Sequence, residues 1–150
     1  MLQSEKKIKL FLKNLLEALG FEADVVVKKN DGILLAEATV EEPALLIGRD
    51  GETLQAIQYL LRIMMERTEP SDGPIVVDIN GYRDKRIASI RRQTASLVTL
   101  ARKSGQSVEM PKLNSYERRV VHTIIADIAD MESESEGWGE ERRLIIRLKK

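Results

Sequence analysis

Residues 45 to 60 read Leu-Leu-Ile-Gly-Arg-Asp-Gly-Glu-Thr-Leu-Gln-Ala-Ile-Gln-Tyr-Leu, in which an Ile-Gly-x-x-Gly turn ends one apolar segment and opens a helix. The two glycines let the backbone approach a ligand closely. The helix that follows aims its unpaired N–H groups and positive dipole end at an arriving anion. A lone tetrad of this kind also serves ordinary helix-entry turns, so its surroundings decide its meaning.

Those surroundings predict a complete small unit. From Ser4 to Gly20, residues Ile8, Phe11, Leu12, Leu15, Leu16 and Leu19 recur at helical spacing with lysines between them, and Gly20 closes the helix. Val25-Val26-Val27 and the run Ile33 to Val40 flank Asn30-Asp31-Gly32, the pattern of a β-hairpin. Pro43 opens a short apolar helix through Ile47, and after the glycine turn Leu54, Ile57, Leu60, Leu61 and Met64 predict an amphipathic helix. Pro70-Ser71-Asp72-Gly73-Pro74 breaks that helix, and Ile75 to Ile79 returns as a strand.

Asn80-Gly81 is the expected boundary, giving domains 1–80 and 81–150, because the unit is complete there and the charge balance changes. The chain of 150 residues has a formal net charge of zero from 24 basic and 24 acidic side chains. Residues 1–80 carry 9 basic and 14 acidic groups, whereas residues 81–150 carry 15 and 10. Within the second part, Arg83 to Arg119 holds ten basic residues against Asp84, Glu109 and Glu117, while Asp127 to Glu141 holds seven acids and no base. Local field, not net charge, decides whether an anion is attracted.

A second unit follows the boundary. Arg83 to Ser104 predicts a long helix with an apolar stripe of Ile87, Ile90, Leu97, Val98 and Ala101, and with Lys85, Arg92 and Lys103 on the opposite side as a phosphate track. Ser107 to Met110 is expected as a short strand. Asn114 and Glu117 form a capping box for a helix expected to run to about Met131. Ser133 to Glu141 is expected as an acidic loop and Arg143 to Leu148 as a closing strand. Arg118 and His122, one turn apart, share a helical face continued by Ala126 and Ala129, so their stripe is expected to be exposed. Tyr116, Val120, Val121, Ile124, Ile125 and Ile128 are expected to be buried on the other side. A guanidinium forks onto phosphate, and an imidazole donates a hydrogen bond or stacks on a base. Trp138, between glycines, is read as docking its loop, with stacking on a base as the alternative.

Composition removes several classes. No cysteine is present, which excludes disulfides, thiolate metal sites and cysteine nucleophiles, and the single histidine makes a protein-held zinc centre improbable. Glu132, Glu134 and Glu136 are read as solvent-facing, so no metal site, cofactor or catalytic residue is expected. No stretch approaches about 18 consecutive apolar residues, and the N-terminus leads into an amphipathic pattern, so membrane insertion is not expected and the cytoplasm is the expected location.

The first unit resembles a KH domain of the type II topology, in which a helix and hairpin precede the Gly-x-x-Gly element. The segment Met110 to His122 resembles the Arg-xxx-His domain associated with single-stranded nucleic acid. Their ordered pairing, with a Glu-Ser-Glu-Ser-Glu-Gly segment before the last strand, resembles the Jag (KhpB-type) family of bacterial RNA-binding proteins over essentially the whole chain. The implied fold class is α/β (α+β): two small domains, type II KH-like followed by an Arg-xxx-His domain.

In the KH family the loop clamps the backbone of about four single-stranded nucleotides. That role carries over to Gly48 and Gly51 for backbone approach, Arg49 for phosphate, and Ile47 with Leu54 for lining the groove. Asp50 departs from the pattern by placing a carboxylate in the loop, and is read as a cap for the helix behind it. In the second unit Lys85, Arg92, Lys112, Arg118, Arg119 and His122 are the expected contacts. The implied ligand is single-stranded RNA, with single-stranded DNA as an alternative. The implied protein partner is a small single-KH protein, with a homodimer as a further assembly. The implied role is RNA chaperoning or post-transcriptional regulation linked to cell envelope and cell-shape control. Many members carry a further N-terminal domain and linker not contained in this chain, so a short member or a truncated chain is expected. A scaffold using the acidic KH half, and less so a ribonuclease using His122, are the alternatives.

Overall fold

The computed structural model describes residues 3–68 and 73–150, so Pro70, Ser71 and Asp72 of the expected break lie outside the described residues. The chain divides into two units, Met1–Arg83 and Asp84–Lys150. The division falls three residues past the expected boundary. Tyr82 packs against the first core, and the Arg83 guanidinium donates to the Val77 carbonyl at 2.8 Å.

In the first unit α1 (Gln3–Ala18) buries Ile8, Leu12 and Leu16, each one turn from the next. It ends where Phe21 N–H donates to the Leu16 carbonyl and Gly20 N–H to the Glu17 carbonyl, both at 2.9 Å, the paired closure that satisfies terminal carbonyls. Strands β1 (Asp24–Asn30) and β2 (Ile33–Thr39) pair antiparallel around Asp31-Gly32, whose φ values of 49° and 80° fit the tight hairpin turn. Helix α2 (Ala44–Ile47), a 3-10 turn (Arg49–Gly51) and α3 (Glu52–Thr68) return the chain to β3 (Ile75–Ile79), which lies parallel to β2. The sheet order is β1-β2-β3, and the helix and hairpin precede the glycine turn as the type II topology implies.

Side chains alternate along each strand, so Val25, Val27, Leu34, Ala36, Ala38, Ile75, Val77 and Ile79 face the helices and form one core with them. Helix α3 contributes Leu54, Ile57, Leu61 and Met65, whereas Leu60, expected on the apolar stripe, is exposed. Asn80 closes the unit. Its side-chain amide accepts from Val40 N–H at 2.9 Å and donates to the Val40 carbonyl at 2.8 Å, extending the β2–β3 ladder by one side chain.

The second unit is built from α4 (Tyr82–Ser104), β4 (Val108–Glu109), α5 (Ser115–Ala126), β5 (Met131–Glu136) and β6 (Arg143–Leu148), with a 3-10 turn at Gly139–Glu141. The strands form an antiparallel sheet in the order β4-β6-β5. Ile90, Val98 and Ala101 of α4 join Val121 and Ile125 of α5 and Met131, Leu144 and Ile146 of the sheet in a second core. Thr94 sits fully buried among them with its hydroxyl satisfied by the Ile90 carbonyl at 2.8 Å.

Two expectations are corrected here. Helix α5 stops at Ala126, not near Met131, and the acidic run is a strand, not a loop. The reason is periodicity. Ser and Glu alternate through Glu132-Ser133-Glu134-Ser135-Glu136, which lets Arg147 on β6 bridge Glu132 at 2.7 Å and Glu134 at 2.8 Å on one side of the strand. The turn before it is held by a forked pair from Arg102 of α4 to Asp130 at 2.9 and 2.7 Å. This hydrogen-bonded guanidinium holds the Asp130 carboxyl below its ordinary range.

The capping box is formed as expected: Glu117 N–H donates to Asn114 Oδ1 at 2.8 Å, and Asn114 N–H donates to Glu117 Oε2 at 2.9 Å. Glu117 is also buried, at 5% exposure, and accepts from Arg86 Nε of α4 at 2.8 Å. Removing one partner of a buried pair strands the other charge. Glu117→Ala is therefore expected to destabilise the second unit by about 3–5 kcal/mol, read by chemical denaturation. A loss of only a few tenths would show the pair to be a surface contact.

Candidate nucleic-acid interface

The glycine turn is forced by contact. Gly48 has φ 72° and ψ −176°, and a Cβ there would lie 2.2 Å from Thr53 Oγ1. Gly51 has φ 81° and is buried, and a Cβ there would lie 3.0 Å from the Tyr82 ring. Any side chain at Gly48 would displace the start of α3, so the tight approach of α2 to α3 depends on that hydrogen. Between them Asp50 takes the left-handed conformation at φ 52°. Arg49 is exposed, with no ion pair or hydrogen bond from its side chain among the described residues. The tip therefore presents one cation beside the opening of α3. Ile47 is half-buried and packs against the first core. Leu54, expected to line a groove, is 3% exposed and belongs to the core instead, because it is the first rung of the α3 apolar stripe. Glu41, Glu42 and Glu52 are exposed on the segments that flank the turn, so the field around it is mixed.

The second unit holds its candidate residues more firmly than the helical spacing implied. Arg118 is half-buried, and its guanidinium donates to the Leu113 carbonyl at 2.8 Å and to Ser115 Oγ at 3.1 Å. His122 is half-buried too, with Nδ1 2.6 Å from Ser133 Oγ and Nε2 2.8 Å from Ser135 Oγ. The expected open stripe is thus corrected to a braced one, because β5 covers that edge of α5. A neutral imidazole donates through one nitrogen and accepts through the other, and serine hydroxyls supply either role, so the pair fixes the ring plane. Burial, followed by the positive charges of Arg118 and Arg142, lowers the His122 pKa below its ordinary value.

The other expected contacts surround this centre unevenly. Lys85 and Arg92 are exposed on α4 seven residues apart, which places them on one side of the helix, and Lys103 continues that side. Arg119 is exposed on the outer side of α5, and Lys112 lies exposed in the loop before it. Glu132 and Glu134 are taken up by Arg147. Tyr116, expected to be buried, is 62% exposed at the start of α5, and Trp138, expected to dock its loop, is 90% exposed. Ser133, Ser135 and Arg142 were not foreseen, although the period-two alternation of the acidic run signalled that both serines share a strand face.

The lowered pKa carries a sign. A histidine whose folded pKa lies below its unfolded value of about 6.5 adds stability that is complete above that value and is lost as pH falls through the folded value. We expect the His122 ring, followed by NMR, to titrate below the ordinary value. Thermal stability should fall more steeply with acidification in the wild type than in His122→Asn. A midpoint above the ordinary value would contradict the braced, neutral ring.

Comparison with known proteins agrees with this two-part reading. Residues 5–79 match the family described as KhpA/KhpB, KH domain, and residues 88–148 match the Arg-xxx-His (R-3-H) domain. The chain is 29% identical over 97% of its length to the RNA-binding protein KhpB of Bacillus subtilis (strain 168), spanning 71% of that protein. It is 26% identical to the protein of the same name from Lactiplantibacillus plantarum over 93% of this chain and 44% of the relative. Against the protein of that name from Clostridium symbiosum it is 24% identical over 93% of this chain and 64% of the relative. A KH domain with a glycine clasp followed by an Arg-xxx-His domain with a braced arginine and histidine places this chain in the KhpA/KhpB family, in its Jag (KhpB-type) branch.

Proposed function

We propose that this chain binds single-stranded RNA, its KH half holding the backbone at Gly48–Gly51 and its Arg-xxx-His half capturing phosphate through Arg118 and its neighbours. The observation that carries the reading is the glycine clasp, where a side chain at Gly48 would strike Thr53, one at Gly51 would be strained at φ 81°, and Arg49 stands exposed between them. Residues 1–80 and 81–150 act as the two functional parts. Covalent linkage raises the effective concentration of each for one strand.

Ile47, Gly48, Arg49, Asp50 and Gly51 are the contacts in the first part, and Lys85, Arg92, Lys112, Arg118, Arg119 and His122 in the second. His122 acts as a fixed ring that contacts the ligand, its plane set by serine hydroxyls at both nitrogens. The mechanism is binding without turnover. Relatives named RNA-binding proteins support RNA as the ligand. The family resemblance extends the proposal to post-transcriptional regulation or RNA chaperoning linked to cell envelope and cell shape. It also suggests a small single-KH protein as partner and the cytoplasm as location. No helix among the described residues is long and apolar enough to cross a membrane. A second reading, a protein scaffold, is favoured by exposed Glu41, Glu42 and Glu52 beside the clasp.

Fluorescence anisotropy of a labelled single-stranded RNA across a salt series separates these readings. Affinity is expected to fall with salt. Arg118→Ala/His122→Ala and Arg49→Ala should both weaken binding, and removing each phosphate-neutralising cation should reduce the log–log slope by about 0.7. Salt-independent or absent binding at low salt would overturn the RNA reading and favour the scaffold.

A further inference from the structure

Trp138 lies on a structured turn, not on a loose end. Glu141 N–H donates to the Trp138 carbonyl at 3.2 Å and Arg142 N–H to the Gly139 carbonyl at 3.3 Å, while Glu136 pairs with Arg143 where the strands meet the turn. Yet the indole is 90% exposed. The fixed turn thus holds a large aromatic face outward, where a flat partner can reach it.

Its position identifies the occupant. Ser135, whose hydroxyl meets His122 Nε2 at 2.8 Å, precedes Trp138 by three residues, a reach of at most about 10 Å. Arg142 follows on the far side of the turn, is exposed, and its charge acts on the His122 ring. The turn that runs on from Ser135 thus carries a flat aromatic face and an exposed guanidinium four residues apart. Glu136, Glu140 and Glu141 are exposed along the same turn and repel phosphate, which directs a nucleic-acid backbone toward Arg142 and Arg118 and leaves the indole to an uncharged ring.

We propose that Trp138 is a stacking platform for an unpaired base of a single-stranded nucleic acid whose adjoining phosphates are received by Arg142 and Arg118. Every base has a π-face, so the contact adds affinity with little sequence preference. The proposal rests on the RNA-binding reading and names how the second unit would hold a nucleotide.

The chain has a single tryptophan, so its emission reports this position alone. In one titration of the full chain with labelled single-stranded RNA, anisotropy reads binding and tryptophan emission reads stacking. Binding should quench the emission, and Trp138→Ala should weaken affinity by about 5- to 150-fold, with Trp138→Phe recovering most of it. An abasic ribose-phosphate strand of the same length should bind without quenching. RNA that raises anisotropy while leaving the emission unchanged, with Trp138→Ala binding as the wild type, would overturn the stacking role while RNA binding stands, and would leave the indole to a protein contact. Absence of any anisotropy change would remove both.

Discussion

The Glu117 carboxylate, nearly sealed from water, accepts from the Asn114 N–H and from the Arg86 guanidinium of α4. A carboxylate taken out of water is tolerated only when such donors replace its hydration. Because they do, the first turn of α5 is fixed relative to α4 and to the loop before it. Arg118 is the next residue, and its guanidinium closes on the Leu113 carbonyl of that loop. His122 follows one turn later, where β5 brings two hydroxyls to its ring. The candidate site of the second unit is therefore a consequence of how a helix begins and of what covers its edge.

In the proposed function the two units receive an anion in different ways. In the first, the device is the backbone: a side chain at Gly48 would collide with Thr53 and one at Gly51 would crowd Tyr82 at a positive φ, which leaves a tight turn with Arg49 at its tip. Surrounding carboxylates weaken the field there, so close approach and backbone donors matter more than charge. In the second, the device is side-chain bracing within a basic stretch, with burial and nearby guanidinium charge lowering the His122 pKa. A ligand phosphate near Arg118 and Arg142 would offset that positive field, coupling anion binding to protonation of the ring.

Local pattern reveals the parts of the fold that local pattern controls. The spacing of Ile8, Leu12 and Leu16, the Asp31-Gly32 turn, and the Asn114–Glu117 cap each encode a nearest-neighbour geometry, and each is formed. Long-range consequences are not legible in the same way. The second role of Glu117 depends on Arg86, 31 residues away, and the serines that hold His122 are 11 and 13 residues beyond it. The charge of the acidic run suggests a loop, yet its alternation already carries the strand. Leu54 illustrates the opposite error: its place beside the glycine turn suggests the surface, although its helical stripe assigns it to the core. Exposure of Tyr116 and Trp138 runs against the usual fate of aromatic side chains.

If the proposed function holds, one strand engages both the glycine clasp and the braced histidine site. Amide and imidazole chemical-shift mapping of the intact chain with a single-stranded oligonucleotide tests this directly. Perturbations are expected to concentrate at Gly48 to Glu52 and, in the same titration, at Arg118, His122, Ser133 and Ser135. Perturbations confined to other surfaces, or absent from both sites at saturating ligand, would contradict it.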